Sequence, residues 1–339
     1  MKILVIGDPH FKKEKIEMMT NICNEIIQIV INNDINQVIC LGDVLDKHSI
    51  IHLMPLYQAS DFFFELSKYC PVYILVGNHD RINNSDFLSK YSSLYSLKNT
   101  PNIHIIDSTF WDKDTNLMYV PYVPPNKFML ALNNINYNPE TNIEHPKYIF
   151  AHQEFKNART SSRVSKISEG WKESYPMIIT GHFHDYHYIS KNVLYTGSLY
   201  QESYDENPDK ALILLNNDVI ERIKLKSVIV KKVLNINADE LNNINNLLNR
   251  IPKDCLVKIN LNVEKFKIKQ VVESEQYKLL NKNVDKISIV SNNEKIINKE
   301  LDNIIKNLRV SNKLNLDNVV NEFLSDDLYT LKLFADIKN

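Results

Sequence analysis

The stretch Lys2-Ile3-Leu4-Val5-Ile6-Gly7-Asp8-Pro9-His10 decides how the chain is read. Four aliphatic residues run unbroken into a glycine, and an acid and an imidazole follow at once. A short run with no polar alternation is a strand buried on both faces, the kind that parallel sheets contain. The pattern recurs twice: Val38–Leu41 runs into Gly42-Asp43, and Val72–Val76 into Gly77-Asn78-His79-Asp80. Between them, Lys13–Ile31 places Ile16, Met19, Ile22, Cys23, Ile26, Ile27 and Val30 at helical spacing, and Leu56–Tyr69 is a second helix. Strand, helix, strand, helix, strand predicts parallel pairing with right-handed crossovers and helices on both faces.

From Asn102 the texture changes to short strands. They are predicted at Ile103–Asp107, Leu117–Tyr122, Tyr148–Ala151, Ile178–Thr180, Val193–Tyr195, Ala211–Leu215 and Val219–Leu225, as a second, partly antiparallel sheet facing the first. A short helix is expected at Asn126–Asn134 and a polar loop at Asn134–Pro146. From about Val228 a strand, a helix at Asp239–Arg250, a strand at Leu256–Leu261, a helix near Gln270–Leu280 and a strand at Lys286–Val290 follow, with helices near Asn298–Leu308 and Asn318–Phe334. The expected architecture is α/β (α+β): two facing mixed sheets flanked by helices over residues 1–226, then a smaller α/β domain with a helical end over 227–339.

Composition narrows the class. With 44% hydrophobic and 24% charged residues, the chain has enough apolar matter for a core and is not a disordered polymer. Its apolar runs are a few residues long, too short for a bilayer, and Ile3–Ile6 is too short for a signal-peptide core. The four cysteines are scattered with no C-x-x-C pair, so neither a disulfide framework nor a thiolate zinc site is indicated, and a reduced, cytoplasmic or other intracellular compartment is expected rather than secretion. The net charge of −1 conceals a split: residues 1–218 carry 19 basic against 25 acidic residues, and residues 219–339 carry 21 against 16. An acidic first part beside a basic tail predicts two functional regions.

Chemistry collects at strand ends. Asp8-Pro9-His10, Gly42-Asp43, Gly77-Asn78-His79-Asp80, Ala151-His152 and Gly181-His182-Phe183-His184 each put acids, amides or imidazoles just past a strand, where open α/β sheets bind ligands. In D-x-H and H-x-H, side chains two apart on an extended segment point the same way, so each motif offers two ligands to one site. Oxygen and nitrogen donors without thiolate suit Mn²⁺, Fe²⁺, Zn²⁺ or Mg²⁺. Isolated histidines such as His104 and His145 read as structural or solvated, whereas burying all five motifs without a cation would be costly.

The ordered set D-x-H, G-D-x-x-D, G-N-H-D, H and G-H-x-H resembles that of the calcineurin-like metallophosphoesterases, from Asp8 to His184. The resemblance implies two divalent ions, manganese first among the candidates. Asp8, His10 and His184 would hold one, Asn78, His152 and His182 the other, and Asp43 would bridge them. Ions roughly 3.5–4 Å apart can clamp a phosphate and lower the pKa of a water to near 7. His79 would serve the leaving oxygen as an acid or charge stabiliser, with Asp80 fixing its ring.

The substrate is read from the remaining residues. Lys47 and Asp80 stand where protein phosphatases of the superfamily carry Arg and Glu, which points away from phosphoproteins. The run Thr180–His184, then Tyr195-Thr196-Gly197-Ser198-Leu199-Tyr200-Gln201, Asp205-Glu206-Asn207 and Asp209-Lys210, resembles the nuclease subunits of the SbcD and T-even phage recombination-endonuclease branch. So do the domain after the catalytic one and the stretch Leu316–Leu324. That resemblance implies a DNA exonuclease or endonuclease of recombination and repair, of phage or large-DNA-virus type. Three residues after Asp43, where cellular relatives place a histidine, stands Asp46, so His48 or His52 would have to substitute.

Lys156, Arg159, Arg163 and Lys166 form an acid-free loop that is either a DNA-backbone contact or a solvated surface. The stripe Val319, Val320, Phe323, Leu324, Leu328 and Leu331 is core, or docks a coiled-coil ATPase subunit of the SbcC kind, and a homodimer is compatible. The competing expectations are a phosphoesterase for nucleotides or other small phosphoesters, and a scaffold that binds an ATPase or a DNA end.

Overall fold

The structure, a computed structural model, describes residues 1–48, 50–160 and 164–291. The elements run β1 (Lys2–Ile6), α1 (Ile16–Asn32), β2 (Gln37–Cys40), α2 (Leu53–Ser67), β3 (Val72–Leu75), β4 (Ile103–Ile106), β5 (Phe110–Asp112), β6 (Leu117–Val120), α3 (Phe128–Asn133), β7 (Tyr148–His152), β8 (Met177–Gly181), β9 (His187–Ser190), β10 (Val193–Tyr195), β11 (Leu212–Asn216) and β12 (Val219–Ile223). After them come β13 (Val230–Asn237), α4 (Ile244–Arg250), β14 (Cys255–Val263), α5 (Ile268–Glu273), α6 (Glu275–Asn283) and β15 (Lys286–Ser291). Arg163 and the two helices expected beyond residue 291, with their apolar stripe, lie outside the described residues.

Two compact units result among the described residues, Met1–Lys232 with Lys253–Leu256, and Val233–Pro252 with the described residues from Val257 onward. In the first, one six-stranded sheet has the order β12-β11-β1-β2-β3-β4 and a second the order β5-β6-β7-β8-β10-β9. Strands β1 to β4 pair in parallel, as do β6, β7, β8 and β10, while β11, β12, β5 and β9 join antiparallel.

Alternation along the strands sorts the side chains. Ile3 and Val5 of β1 meet Tyr119, Phe150 and Ile179 of the second sheet, so the two sheets pack face to face. Leu4 and Ile6 face the other way, onto Met19, Ile22 and Ile26 of α1 and Phe62, Phe63 and Leu66 of α2. On the outer face of the second sheet, α3 and Trp171 cover Met118, Ile149 and Ile178. Burial on both faces is why these strands read as unbroken apolar runs.

Two expectations are corrected. Strands β4, β11 and β12 belong to the first sheet, not the second: β4 extends it parallel to β3, and β11 and β12 add antiparallel on the far side of β1. The three-residue β5 and the edge strand β9 were not expected at all. His104 stacks on Tyr73 at 4.6 Å, and His145 Nδ1 lies 3.0 Å from the Tyr137 hydroxyl; both side chains are exposed, in keeping with the structural or solvated reading.

Among its described residues the second unit holds a three-stranded sheet, β13-β14-β15, with short helices. Val257, Ile259, Leu261 and Val263 alternate inward along β14, and Leu241, Leu247 and Leu280 close the core. Asn237 and Glu240 form a capping box before Leu241, and Ser274 caps α6 by accepting from the Tyr277 amide. The Asn-rich stretch is therefore an ordered turn and helix. No described helix is long and apolar enough to cross a membrane.

Candidate active site

Five parallel strands, three from one sheet and two from the other, deliver the motif residues to one place. Asp8 and His10 follow β1, Asp43 follows β2, Asn78 and His79 follow β3, His152 ends β7, and His182 and His184 follow β8. Asp8, His10 and His184 offer ligand atoms within 4.8 Å of one another, and Asp43, His152 and His182 do the same. Asp43 Oδ2 stands between the groups, 3.4 Å from His152 Nε2 and 4.0 Å from His10 Nε2. Asn78 Oδ1 completes the second group, 2.9 Å from His152 Nε2 and 2.8 Å from His182 Nδ1.

Tight backbone turns make this approach possible. His10, Asp43 and His182 adopt φ of +43°, +49° and +82°, a region costly for residues with a side chain and concentrated at functional sites. Gly42, at φ +108°, could not carry a Cβ, which would lie 2.8 Å from Gly77 Cα. At Gly181 a Cβ would come within 2.2 Å of Asp8 Oδ1, so glycine there admits the carboxylate.

Besides His182 on Asn78, three histidines of the site have Nδ1 fixed by an oxygen. His152 Nδ1 lies 2.9 Å from the Leu41 carbonyl, His184 Nδ1 lies 3.1 Å from Glu206 Oε1, and His79 Nδ1 lies 2.6 Å from the Asp46 carbonyl. A carbonyl only accepts, so Nδ1 of His152 and His79 carries the proton and Nε2 is left for other work. His10 and His184 face each other through Nε2 at 3.1 Å.

The electrostatics are divided. Burial raises the Asp8 pKa, while on Asp43 burial is outweighed by His152, His79 and His10, which hold the carboxyl well below its usual range. Burial opposes charge on His152, yet Asp43 and Asp8 hold its pKa up at about 9. Burial pushes His10 well below the ordinary imidazole range.

Asp80 is a correction. It does not orient His79: its carboxylate accepts from the Val44, Leu45 and Gly77 amides at 2.9, 3.2 and 2.9 Å, tying the ends of β2 and β3 together. Burial, and next the Asp43 charge, raise its pKa to about 7. The His79 ring takes its orientation from the Asp46 carbonyl instead, and His48 stacks on it with ring centroids 4.2 Å apart. His52 is exposed at the start of α2 and takes no part in that stack.

Lys156, Arg159 and Lys166 are exposed on a hairpin-like loop after β7, closed by the Asn157 to Ser165 and Ser165 to Ala158 backbone bonds. The sequence gives little sign of Lys210, whose side chain is 2% exposed while it donates to the His184 carbonyl at 2.6 Å and to Glu206 at 2.9 Å. Its only trace is the D-E-N and D-K run quoted above.

The chain has known relatives. Protein 244L of Invertebrate iridescent virus 6 is 39% identical over 239 residues, 69% of this chain and 82% of that protein. Protein 078R of Invertebrate iridescent virus 3 is 32% identical over 232 residues, 67% of this chain and 66% of that protein. Both bear names that call them phosphoesterases. Among solved structures, the phosphoesterase Yfce from E. coli aligns at 14% identity over 68% of this chain and 96% of its own, with a TM-score of 0.31. The calcineurin-like phosphoesterase profile matches residues 1–223, the span that holds every strand end described above. On that match and on the viral relatives, the chain belongs to the calcineurin-like phosphoesterase family.

Proposed function

We propose that this phosphoesterase hydrolyses DNA phosphodiester bonds, as an exonuclease or endonuclease of recombination and repair, with two divalent ions, manganese first among them. The observation that carries the reading is the pair of adjoining clusters with Asp43 Oδ2 between them.

The residues fit such ions. Asp8 Oδ1 and His10 Nδ1 are buried with no hydrogen-bond partner. His10 and His184 turn ring nitrogens on each other, and two imidazole nitrogens crowd one amide oxygen of Asn78. Lone pairs gathered so closely are those of a ligand set. Asp8, His10 and His184 would hold one ion, and Asn78, His152 and His182 the other, with Asp43 shared. Such ions polarise phosphoryl oxygens and make water nucleophilic at neutral pH.

The protein's own groups do the rest. The Leu41 carbonyl and Glu206 aim His152 and His184 through Nδ1, as outer partners of metal-binding imidazoles do. Asp80 fixes the backbone that carries Asp43 and Asn78. His79, its Nδ1 proton committed to Asp46, presents Nε2 to hold or pass a proton at the departing oxygen. The exposed cations Lys156, Arg159 and Lys166 support a polyanionic substrate.

The test compares the purified full chain with Mn²⁺ on end-labelled linear DNA and on an aryl phosphodiester. Cleavage of DNA that Asp43→Ala abolishes, together with loss of bound metal, is the expected result. Turnover of the aryl ester or of nucleotides alone would replace the DNA reading by that of a small-phosphoester enzyme. Metal binding with no turnover of any of them would leave a scaffold.

A further inference from the structure

A hollow of about 710 Å³ opens beside the catalytic cluster, and His79 forms part of its wall. Its other walls come from two loops, the one after β2, with Lys47, and the long β3–β4 loop, with Ile82, Lys90, Tyr91 and Tyr95. The composition is unusual for solvent-facing surface. Tyr91 is 72% and Tyr95 68% exposed, and Ile82 is half exposed, so large apolar faces line a concavity that this chain leaves unfilled. Among the described residues, neither tyrosine ring packs on another ring. Exposed apolar residues gathered in one concave place mark a binding site, whereas single ones scattered over a surface do not.

The wall is built, not loose. Ser93 N–H donates to the Asp80 carbonyl at 2.9 Å, and Arg81 pairs with Ser92 as an antiparallel bridge. The buried Arg81 guanidinium donates to the Tyr122 carbonyl at 2.9 Å and also to the Asp86 carbonyl. Leu94 and Leu97 are sunk in the core between and beyond the two tyrosines. The loop that carries the rings is thus tied to Asp80, the residue that also ties the ends of β2 and β3, so the rings keep register with His79.

Charge selects the occupant. Lys47 and Lys90 are exposed at the hollow, Lys47 with its ammonium 3.7 Å from Asp46 just outside the lining, and the one carboxylate in the lining, Asp80, is buried and turned to backbone amides. Flat rings with flanking ammonium groups and a lining without an exposed acid are the two parts of a single-stranded nucleic-acid platform: bases stack, and the backbone phosphates meet cations. The hollow lies on the His79 side, where the proposed role of His79 puts the departing oxygen.

We infer that Tyr91 and Tyr95 form a base-stacking subsite for the nucleotide on the leaving side of the scissile phosphate, so that the substrate presented there is an unpaired strand. This rests on the nucleic-acid reading of the site and sharpens it: the base must leave its duplex partner to enter.

The experiment crosses protein with substrate. Wild type, Tyr91→Ala/Tyr95→Ala and Tyr91→Phe/Tyr95→Phe are each given Mn²⁺ and single-stranded oligonucleotides carrying one abasic residue at successive positions around the cut. Binding of the same labelled strands is followed by fluorescence anisotropy in EDTA. In wild type, removing the base next to the leaving oxygen raises KM and weakens binding by about 5- to 150-fold, the range for one stacked base. In the alanine variant the intact and abasic strands become equivalent, and the phenylalanine variant restores the discrimination. A wild type that cleaves strands but ignores the missing base, or an alanine variant that still discriminates, overturns the subsite and leaves the nuclease reading standing. A wild type that turns over an aryl phosphodiester but neither binds nor cuts any strand overturns both.

Discussion

Glu206 offers the sharpest test of how the centre is held. Its Oε1 lies 3.1 Å from His184 Nδ1, and its Oε2 accepts from Lys210 Nζ at 2.9 Å and from the Glu202 amide at 3.1 Å. Burial works against its ionisation, yet the His184 hydrogen bond and the Lys210 ammonium hold its pKa down at about 2. In Glu206→Ala the imidazole loses the acceptor that sets its tautomer and direction. Losing such an outer partner typically weakens metal affinity or activity by about 10- to 100-fold. Lys210 keeps the His184 carbonyl, the Ser198 hydroxyl at 3.1 Å and Asp185 at 3.6 Å, so it is not stranded. The stability cost should therefore be that of the three hydrogen bonds this carboxylate accepts, about 1.5–3 kcal/mol each, without the larger penalty of an orphaned buried ion. Glu206→Gln keeps an acceptor oxygen for His184 and should lose less than about tenfold in affinity. Calorimetric titration with Mn²⁺ and thermal melts of the three proteins measure both quantities. If Glu206→Ala melts lower but binds both ions as tightly as wild type, Glu206 is structural and the positioning role is wrong.

Three further outcomes are expected. His79→Asn should keep both ions in the same titration while turnover falls by about 10²- to 10⁴-fold, and unchanged turnover removes His79 from proton handling. Gly42→Ala should cost about 2–6 kcal/mol in denaturant melts, combining left-handed backbone strain with a forced backbone shift against Gly77; a loss under about 1 kcal/mol would mean the turn can open freely. Burial raises the Cys23, Cys40 and Cys70 thiols, Cys70 to about 11, while Cys255 is only half-buried. A thiol reagent should therefore modify Cys255 first in the native protein and all four cysteines after unfolding.

Local punctuation explains what was legible in the sequence. A glycine followed by an acid or amide after an apolar run fixed the ends of β1, β2 and β3 to within a residue, because a chain poor in glycine spends it where the backbone must turn. Sheet membership was not legible. Residues 212–216 would look the same beside either sheet, and only pairing with β1, some two hundred residues earlier, places them. The candidate ligands were legible because each motif carries its chemistry within a few residues. Asp80 was misread because adjacency to His79 suggested contact, whereas its carboxylate points to the amides beneath the loop. Glu206 and Lys210 act across twenty or more residues, and no local pattern distinguishes a buried lysine from a solvated one.

The composition of the clusters also says why the site requires this fold. Asp8, His10, Asp43 and Asn78 hang from the first sheet, and His152, His182 and His184 from the second. Neither sheet holds a complete cluster: Asp8 and His10 need His184, and His152 and His182 need Asp43. Similar groups are driven apart in acidity, Asp8 up against Asp43 down and His152 up against His10 down, as when buried neighbours must divide charge among themselves. Divalent cations would relieve that division by satisfying the acids and imidazoles together, and would also bridge the sheets at their open end. The apolar contact of Ile3 and Val5 with Phe150 and Ile179 is thus the spacer that sets the distance between two half-sites. Core packing and chemistry are coupled there, because a well-packed interior transmits a change in sheet separation instead of absorbing it.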